Sequence, residues 1–430
     1  MPQLKTAVQL GWAVMLSSTL LTGCGPSNQE NAPADSIGSV PLNDTDVTPQ
    51  PEPIDPQATL SVTAKYFSSD QLEERYTAVY NHKGQLIEWE YDETGDDVTD
   101  ENKWYEYDEF GNVLTEVLDS TGDEAPNKIT QYTYSLLNKW LTRTVDTDAD
   151  GQADQVYLTE YNIYGDVTRF TRDDGNDGAL DYIVINQYDE AGLLVKEETD
   201  SDGDGAANRM KSFIRDGAGN VSKEQVDSDG DGAINYTYHY TYNDQYLMTY
   251  RGFDQYNDES LDQITRYEYN AAGQFTRLLF DYNGDGITDR SLAYEYDGLQ
   301  SIIKTDDNNN GSIDRVETRT YNSVGKLLSF VKDTDGNGEA DRIEQCGYDE
   351  NSAQITFYSL DANADGQIDQ RFERFYNENH MLIEVLDNFD RRYDVQYTGE
   401  SRIYELIEEH VIYEFINDGI CGSVNADLMK

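Results

Sequence analysis

An acidic cluster recurs along this chain at a nearly constant spacing, and this spacing restricts the fold more than any other feature of the sequence. Seven consecutive intervals between cluster starts are 27 residues long, and the last four are 25, 27, 28 and 26 residues long. Repeats of this length are single supersecondary units that bury their apolar faces against their neighbours. We therefore expect one repeat array instead of two ordinary domains. The cluster starts are Asp92, Asp119, Asp146, Asp173, Asp200, Asp227, Asp254, Asp281, Asp306, Asp333, Asp361 and Asp387.

Two further columns share this period and predict a β-hairpin in each repeat. Fifteen residues after each cluster start from Asp92 to Asp361 stands a tyrosine, with Arg215 as the exception, and a degenerate repeat begins near Lys65. Alternating tyrosines such as Tyr105 and Tyr107 lie on one face of a strand. A glycine four residues after the column tyrosine, such as Gly111, supplies the positive φ of a tight turn.

The predicted fold class is therefore all-β. Tandem 27-residue β-hairpin repeats form an elongated or spiralling, solenoid-like antiparallel sheet, with calcium-binding loops between the hairpins. The repeat pattern does not distinguish an open solenoid from a spiral or a closed ring. We interpret the tyrosine columns as core, because the strands contain few other large apolar residues, with a sugar-binding platform as the alternative.

The acidic clusters carry the ligand pattern of a calcium loop. The cluster at Asp146 reads Asp-x-Asp-x-Asp-Gly-x-x-Asp, with oxygen ligands at alternate positions and a glycine at the sharp turn. Calcium binds roughly six to eight oxygens, and an all-protein carboxylate cage suits it better than magnesium. Clustered carboxylates without cations would repel one another at a cost to folding. Seven clusters are predicted to bind calcium, through Asp146, Asp148, Asp150, Asp154, Asp200, Asp202, Asp204, Asn208, Asp227, Asp229, Asp231, Asn235, Asp281, Asn283, Asp285, Asp289, Asp306, Asn308, Asn310, Asp314, Asp333, Asp335, Asn337, Asp341, Asp361, Asn363, Asp365 and Asp369.

Four further clusters, at Asp92, Asp119, Asp173 and Asp254, depart from this pattern because threonine, glycine or tyrosine replaces the second acidic residue. We expect these clusters to keep the turn without binding calcium tightly. Asp, Asn and Gly are also ordinary turn residues, so a single cluster predicts no more than a turn. The prediction of metal sites depends on the recurrence of the full pattern in register.

The loop pattern resembles the calcium loops that join β-strands in integrin α-subunit propellers. It is also similar to the first half of an EF-hand loop, but only Glu317 and Glu344 stand where that family would place its closing glutamate, and strand patterns flank the loops. The hairpin half, Tyr-x-Tyr-Asp-x-x-Gly-x-Val from Tyr105, resembles the YD (Rhs-type) repeat over about residues 65–390. The YD resemblance implies long, spiralling β-sheets.

The start of the chain has the pattern of a processing signal. Residues 1–23 combine Lys5, a short apolar stretch and small residues, as a secretory signal peptide does. The sequence Leu-Thr-Gly-Cys that ends at Cys24 resembles the bacterial lipobox. This resemblance implies that Cys24 is lipidated. Together with Gly25, it implies an anchor in the bacterial outer membrane, on the surface or the periplasmic face.

The rest of the chain divides into three segments. Residues 24–58 are rich in Pro, Ser, Asn and Asp and are predicted to form a disordered tether. Residues 59–390 form the repeat array, and residues 391–430, where the period fades, are predicted to cap its open edge. Cys346 and Cys421 remain as an even pair in an oxidising compartment, as a disulfide or as two buried thiols.

The charge of the chain excludes one class of partner. The net charge is −53, and loss of Lys5 with the signal peptide leaves −54, which repels nucleic acid and anionic membrane surfaces. The 33 tyrosines argue against simple disorder, so bound cations are the expected counter-charge. The four histidines have no zinc spacing, and the sequence contains no nucleophile elbow and no phosphate-binding loop, so we expect no enzyme activity.

These features predict a non-enzymatic, calcium-binding, membrane-anchored surface lipoprotein that acts as a structural spacer or an adhesin-like scaffold. Its expected partners are calcium and, through the N-terminal lipid, the membrane, with a glycan or a surface protein as further candidates. Two alternatives stay open. The first is a carbohydrate-binding module built from YD repeats, and the second is a component of a toxin shell or of an enzyme-associated assembly.

Overall fold

The computed structural model describes residues 57–349, 354–388 and 391–399. The regular structure in these residues is all β-strand, as the sequence predicts. The described residues include no helix of the length and apolar character needed to cross a membrane. The 26 strands are β1 (Thr59–Ser68), β2 (Gln71–Asn81), β3 (Leu86–Asp92), β4 (Glu101–Tyr107), β5 (Val113–Asp119), β6 (Lys128–Tyr134), β7 (Trp140–Asp146), β8 (Gln155–Tyr161), β9 (Val167–Asp174), β10 (Tyr182–Tyr188), β11 (Leu194–Asp200), β12 (Arg209–Arg215), β13 (Val221–Asp227), β14 (Tyr236–Tyr242), β15 (Met248–Asp254), β16 (Gln263–Tyr269), β17 (Phe275–Asp281), β18 (Arg290–Asp297), β19 (Gln300–Asp306), β20 (Arg315–Tyr321), β21 (Leu327–Asp333), β22 (Arg342–Tyr348), β23 (Ile355–Asp361), β24 (Gln370–Tyr376), β25 (Leu382–Asp387) and β26 (Arg391–Gly399).

Consecutive strands pair antiparallel, and the sheet closes on itself. Strand β1 pairs with β2 on one side and with β26 on the other. The closing ladder runs from Leu60↔Gly399 to Ser68↔Arg391. The described strands therefore form a closed sheet with no free edge, and closure removes the unpaired backbone groups that promote edge-to-edge aggregation.

The structure describes both ends of the array. Lys65, near which the sequence predicts a degenerate repeat start, lies inside β1, and the chain reverses at Ser69 and Asp70, both with positive φ. Arg391–Gly399, at the start of the predicted cap, forms β26 and pairs with both β25 and β1. The remainder of the predicted cap, residues 400–430, lies outside the described residues.

Alternating strand direction sorts the connections to opposite edges of the closed sheet. Every acidic cluster joins an odd-numbered strand to the next even-numbered strand, so these loops share one edge, which we call the loop rim. The hairpin turns share the other edge, which we call the turn rim. Thr59, the first residue of β1, pairs with Asn81 at the turn rim. The chain therefore enters the closed sheet from the turn rim.

Pairing is longer within a hairpin than between hairpins. Strands β4 and β5 of one hairpin form six residue pairs, with a bulge just before Tyr107. Strands β3 and β4, of successive hairpins, form four pairs, and their ladder ends at Glu88↔Trp104, before it reaches Leu86. Neighbouring hairpins thus leave backbone groups outside the ladder toward the turn rim, and these groups require other partners.

The column tyrosines supply those partners. The Tyr107 hydroxyl donates a hydrogen bond to the Leu86 carbonyl at 2.6 Å. Burial, and then the nearby Glu116 carboxylate, raise the pKa of Tyr107 to about 12, so the hydroxyl stays protonated at neutral pH. Where arginine replaces the tyrosine, Arg215 Nη2 donates to the Leu194 carbonyl at 3.1 Å and forms the same link. Equivalent bonds are made by Tyr134, Tyr161, Tyr188, Tyr269, Tyr348 and Tyr376.

A cluster of buried apolar side chains lies near the closing strands. Leu60 of β1 and Leu382 and Val385 of β25 are at most 1 % exposed. Cys346 belongs to the same cluster and is disulfide-bonded. Cys421, its predicted partner, lies outside the described residues, so the pairing of these two cysteines stays a prediction.

The column link predicts an unusual substitution tolerance at Arg215. We expect Arg215→Tyr to leave the free energy of unfolding within about 0.5 kcal/mol of wild type, and Arg215→Ala to lower it by about 1 to 2 kcal/mol, because the Leu194 carbonyl loses its donor. Urea denaturation followed by circular dichroism measures both changes. Tyr164→Ala, at a turn position where the ring is 75 % exposed, is the control for a neutral change. Equal losses for the two Arg215 variants would contradict the link.

Candidate metal sites in the acidic loops

Each acidic loop from Asp92 to Asp361 begins with an aspartate that is buried at the end of an odd-numbered strand, and we number the nine loop residues from it. In the loop at Asp227 this carboxylate is 1 % exposed. It accepts hydrogen bonds from the backbone N–H groups of Gly230 at 2.7 Å and Gly232 at 2.8 Å, and a longer one from Asp229 at 3.3 Å. The loop therefore wraps backbone donors around its first carboxylate.

Electrostatics keep this buried carboxylate ionised. Burial alone raises the pKa of Asp227, but the N–H groups of Gly232, Gly230 and Asp229 outweigh it, and the net pKa lies below the usual range. The same balance lowers the pKa of Asp119, Asp200 and Asp333. Amide donors thus compensate the burial of the first aspartate without a cation.

Loops with an incomplete ligand pattern contain the same buried carboxylate. Asp119, whose loop has Thr121 at position 3, is 0 % exposed. It accepts the N–H groups of Gly122 at 2.9 Å and Glu124 at 2.7 Å. The first aspartate therefore has a structural role that does not depend on the other acidic residues. Bound cations are therefore needed to offset repulsion only among the carboxylates at the other ligand positions of the loop.

The loop itself orients the side chains at positions 5 and 9. In the loop at Asp146, Asp150 accepts the N–H of Gln152 at 2.8 Å. Asp154 at position 9 accepts the N–H of Thr147 at 2.7 Å, and its own N–H donates to the carbonyl of the residue before Asp146 at 2.8 Å. Backbone contacts therefore position these carboxylates in the absence of an ion. A metal site requires such preorganisation.

Four loops bring three carboxylates together. In each of them, one oxygen from each of three aspartates lies within 4.8 Å of the other two. Hard oxygen ligands at this spacing fit a divalent cation such as calcium or magnesium, with the buried first aspartate as the fixed member. The triads are Asp146 with Asp148 and Asp154, Asp200 with Asp202 and Asp204, Asp227 with Asp229 and Asp231, and Asp333 with Asp335 and Asp341.

The other three predicted calcium loops do not form such a triad among the described residues. These loops start at Asp281, Asp306 and Asp361, and each has an asparagine at position 3. An asparagine supplies a neutral amide oxygen where the triad loops supply a carboxylate, so these loops have fewer charges to offset. Within the triad loops, four predicted ligands lie outside the carboxylate triads: Asp150, Asn208, Asn235 and Asn337.

The two glutamates at the EF-hand closing position are engaged in the sheet. Glu344 is 1 % exposed and accepts hydrogen bonds from Arg342 Nε at 2.8 Å and the Tyr358 hydroxyl at 2.8 Å. Glu317 accepts a hydrogen bond from Arg319 Nη2 at 3.1 Å. Both carboxylates thus have partners on their own or neighbouring strands, and neither joins a carboxylate triad.

Neighbouring loops stack through position 4. Gly230 has a φ of 72°, and a Cβ there would lie 2.1 Å from the Ala207 carbonyl oxygen of the preceding loop. Where asparagine replaces this glycine, Asn309 Nδ2 donates to the Thr288 carbonyl of the preceding loop at 3.0 Å. At these positions a loop contacts the backbone of its predecessor, so the loops stack along the rim. Similarly close approaches occur at Gly95, Gly122, Gly203, Gly284 and Gly336.

The tyrosine column does not form the exposed aromatic ladder that carbohydrate binding would use. Among the described residues, the tyrosines with exposed rings are Tyr164, Tyr246, Tyr256 and Tyr282, and all four belong to turns or loops. The column tyrosines are buried or half-buried, and most donate their hydroxyl to a carbonyl of the preceding hairpin. The predicted signal peptide, Cys24 and residues 25–56 of the predicted tether lie outside the described residues.

No family model matches the chain, and no curated protein matches it. Among solved structures, TcdB2-TccC3-Cdc42 is 13% identical with a TM-score of 0.37, covering 73% of this chain and 19% of that chain. A Photorhabdus luminescens Tc holotoxin pore is 12% identical with a TM-score of 0.28, covering 74% and 22%. A porin-like protein from Bacteroides uniformis is 12% identical with a TM-score of 0.16, covering 80% and 97%.

The chain spans about a fifth of the length of the toxin-complex chains with which it aligns. Similarity at this level carries no inference about the activity or partners of this protein.

The stacking of loops predicts different effects for two glycines of one loop. We expect Gly232→Ala, where nothing lies within 4 Å of a Cβ, to cost only the left-handed backbone strain, about 1 to 2 kcal/mol. Gly230→Ala should cost roughly 1 to 3 kcal/mol more, because the new Cβ overlaps the Ala207 carbonyl. Urea denaturation in the presence of a chelator measures both. Equal losses would show that neighbouring loops do not stack.

Proposed function

We propose that this protein is a non-enzymatic, calcium-binding structural protein, anchored to the bacterial outer membrane by a lipid on Cys24. The observation that carries the proposal is the recurrence of three converging carboxylates, always including loop positions 1 and 3, in four loops of one rim. A single acidic cluster is commonly only a turn. Four such triads with the same buried first aspartate are better explained by a shared ligand than by four independent turns.

Calcium is the proposed ion because each loop offers its oxygens from the protein alone. Magnesium retains several waters and prefers strict octahedral geometry, whereas calcium accepts flexible cages of carboxylate, amide and carbonyl oxygens. In the loop at Asp227 the first aspartate would hold the ion, and Asp229 and Asp231 would complete the carboxylate set. The bound ion would supply positive charge that offsets the repulsion between these carboxylates.

The proposed role is mechanical. Each triad lies in a loop that contacts the backbone of its neighbour, so an ion in one loop restrains the loop beside it. Calcium modules outside the cell bind at about 10⁻⁴ to 10⁻³ M, so the loop rim would be stiff in calcium and looser without it. A stiffened, closed sheet on a lipid anchor would serve as a spacer or as an adhesin-like scaffold at the cell surface.

A second candidate function is a shell around another component, and closure of the sheet favours it. Strand β1 pairs with β26, so the sheet surrounds a space instead of ending at two edges. A polypeptide that co-purifies with the full chain in a fixed ratio and resists added protease would support this function over the scaffold.

Matched substitutions in two loops test the metal sites. Asp231 accepts the N–H of Ala233 at 2.7 Å, and Asp123 accepts the N–H of Ala125 at 3.0 Å, but only Asp231 belongs to a carboxylate triad. We expect Asp231→Asn to remove one bound calcium per chain and Asp123→Asn to remove none. Equilibrium dialysis with mass-spectrometric metal analysis measures the stoichiometry. Full-length protein that folds in millimolar calcium without bound metal would refute the proposal.

The lipid anchor is tested at Cys24. We expect the chain expressed in a Gram-negative host to incorporate labelled palmitate and to fractionate with the outer membrane, and Cys24→Ser to abolish both, because the thiol is the proposed acylation site. Circular dichroism of the purified variant controls for folding. Palmitate retained by Cys24→Ser would place any lipid elsewhere.

A further inference from the structure

The turn rim carries a group of apolar side chains that project into solvent. They lie at the tips of three consecutive hairpin turns, which join β4 to β5, β6 to β7 and β8 to β9. Such a concentration of large apolar side chains on a folded surface marks an interaction site, whereas single exposed ones are ordinary. The side chains are Phe110 (69 % exposed), Leu136 (105 %), Leu137 (70 %), Ile163 (86 %) and Tyr164 (75 %), and we call them the apolar turn patch.

Contacts between neighbouring turns join these side chains into one surface. Asn112 Nδ2 donates to Asn138 Oδ1 at 3.4 Å and so links the first turn to the second. The aliphatic part of Lys139 lies 3.7 Å from the Cβ position of Gly165 and so links the second turn to the third. The tips therefore form a row along the turn rim.

Two of the three carboxylates in these turns, those of Asp108 and Asp166, accept hydrogen bonds from within their own turn. Asp108 accepts the N–H groups of Phe110 at 2.9 Å and Asn112 at 2.8 Å. Asp166 accepts a hydrogen bond from Asn162 Nδ2 at 3.0 Å. Hydrogen bonds, first from the Asn112 side chain, outweigh the effect of burial and hold the pKa of Asp108 below its usual range, so this carboxylate stays negatively charged.

The strongest negative charge lies on the opposite rim. The eleven loops that start from Asp92 to Asp361 each contain three to five acidic residues and no lysine or arginine. In the turns of the patch, Lys139 offsets part of the charge of Asp108, Glu109 and Asp166. The surface that repels anionic lipid headgroups thus faces away from the apolar turn patch.

The chain enters the closed sheet on the same side as the patch. Thr59 pairs with Asn81 at the turn rim, and it follows Cys24 by 35 positions in the sequence. An anchor at Cys24, the proposed lipid site, would therefore be joined to the closed sheet at the turn rim and not at the loop rim.

We propose that the apolar turn patch inserts into the interfacial layer of a lipid bilayer. Phenylalanine and tyrosine suit the headgroup level, and leucine and isoleucine suit the adjoining acyl region. Projecting tips on separate turns fit the yielding surface of a bilayer better than the flat, closely packed surface of a protein interface. The orientation of the molecule rests on the proposed lipid anchor, but the contact itself depends only on the patch.

The test uses the full chain from residue 24 with Cys24→Ser, which has no acyl group, and neutral phosphatidylcholine–phosphatidylethanolamine vesicles. We expect this protein to float with the vesicles. The triple variant Phe110→Ser, Leu137→Ser, Ile163→Ser should reduce the bound fraction at least tenfold. The matched control, Val98→Ser, Tyr256→Ser, Ile287→Ser, removes apolar residues that are 59 %, 69 % and 67 % exposed on the loop rim and should leave binding unchanged.

Parallel measurements separate this proposal from the proposed function. Calcium stoichiometry is expected to be equal in wild type and patch variant, so a failure of metal binding would leave the vesicle result interpretable. The proposal is overturned if the unacylated wild type does not float, if the patch variant floats equally well, or if the loop-rim control loses binding. It is also overturned if sedimentation reveals a dimer of the chain that the patch variant abolishes, since the patch would then contact a second copy.

Discussion

A carboxylate enclosed by backbone N–H groups holds each acidic loop in shape, and the rest of the structure depends on it. Asp227 ends its strand, enters the loop buried, and accepts amide hydrogen bonds from Gly230 and Gly232. These bonds reverse the chain within nine residues, so the next strand returns antiparallel to the last. The same reversal brings Asp229 and Asp231 beside the first carboxylate. Strand pairing and the candidate cation ligands therefore have one local origin.

Contacts between repeats use backbone carbonyl groups as common acceptors. At the loop rim, Asn309 donates to a carbonyl of the preceding loop, and Gly230 approaches the equivalent carbonyl directly. Between hairpins, Tyr107 and Arg215 donate to equivalent carbonyls from chemically different side chains. Because the acceptor belongs to the backbone, the donor can change without loss of the contact. This explains how the period persists among repeats of low mutual similarity.

Features that depend on local sequence could be predicted, and those that depend on the whole ring could not. The turn glycines, such as Gly111 with a φ of 94°, and the alternating tyrosines predicted the hairpins. Closure of the sheet depends on the twist summed over all strands, and the sequence of a single repeat does not determine that sum. The degenerate repeat start predicted near Lys65 lies inside β1, whereas β26 keeps the column link through Tyr397, whose hydroxyl donates to the Leu382 carbonyl. Seven loops were predicted as metal sites and four contain carboxylate triads, since an asparagine and an aspartate have the same spacing in sequence but not the same charge.

The pairing of β1 with β26 has a consequence for how such a chain changes in evolution. Each repeat contributes two strands, so gain or loss of a repeat preserves the parity of the strand number. An even count leaves the first and last strands antiparallel, with the hydrogen-bond pattern that closes the sheet intact. Duplication of a single strand would instead bring parallel ends together. Unequal recombination between repeats can therefore alter the circumference of the closed sheet while its seam stays compatible.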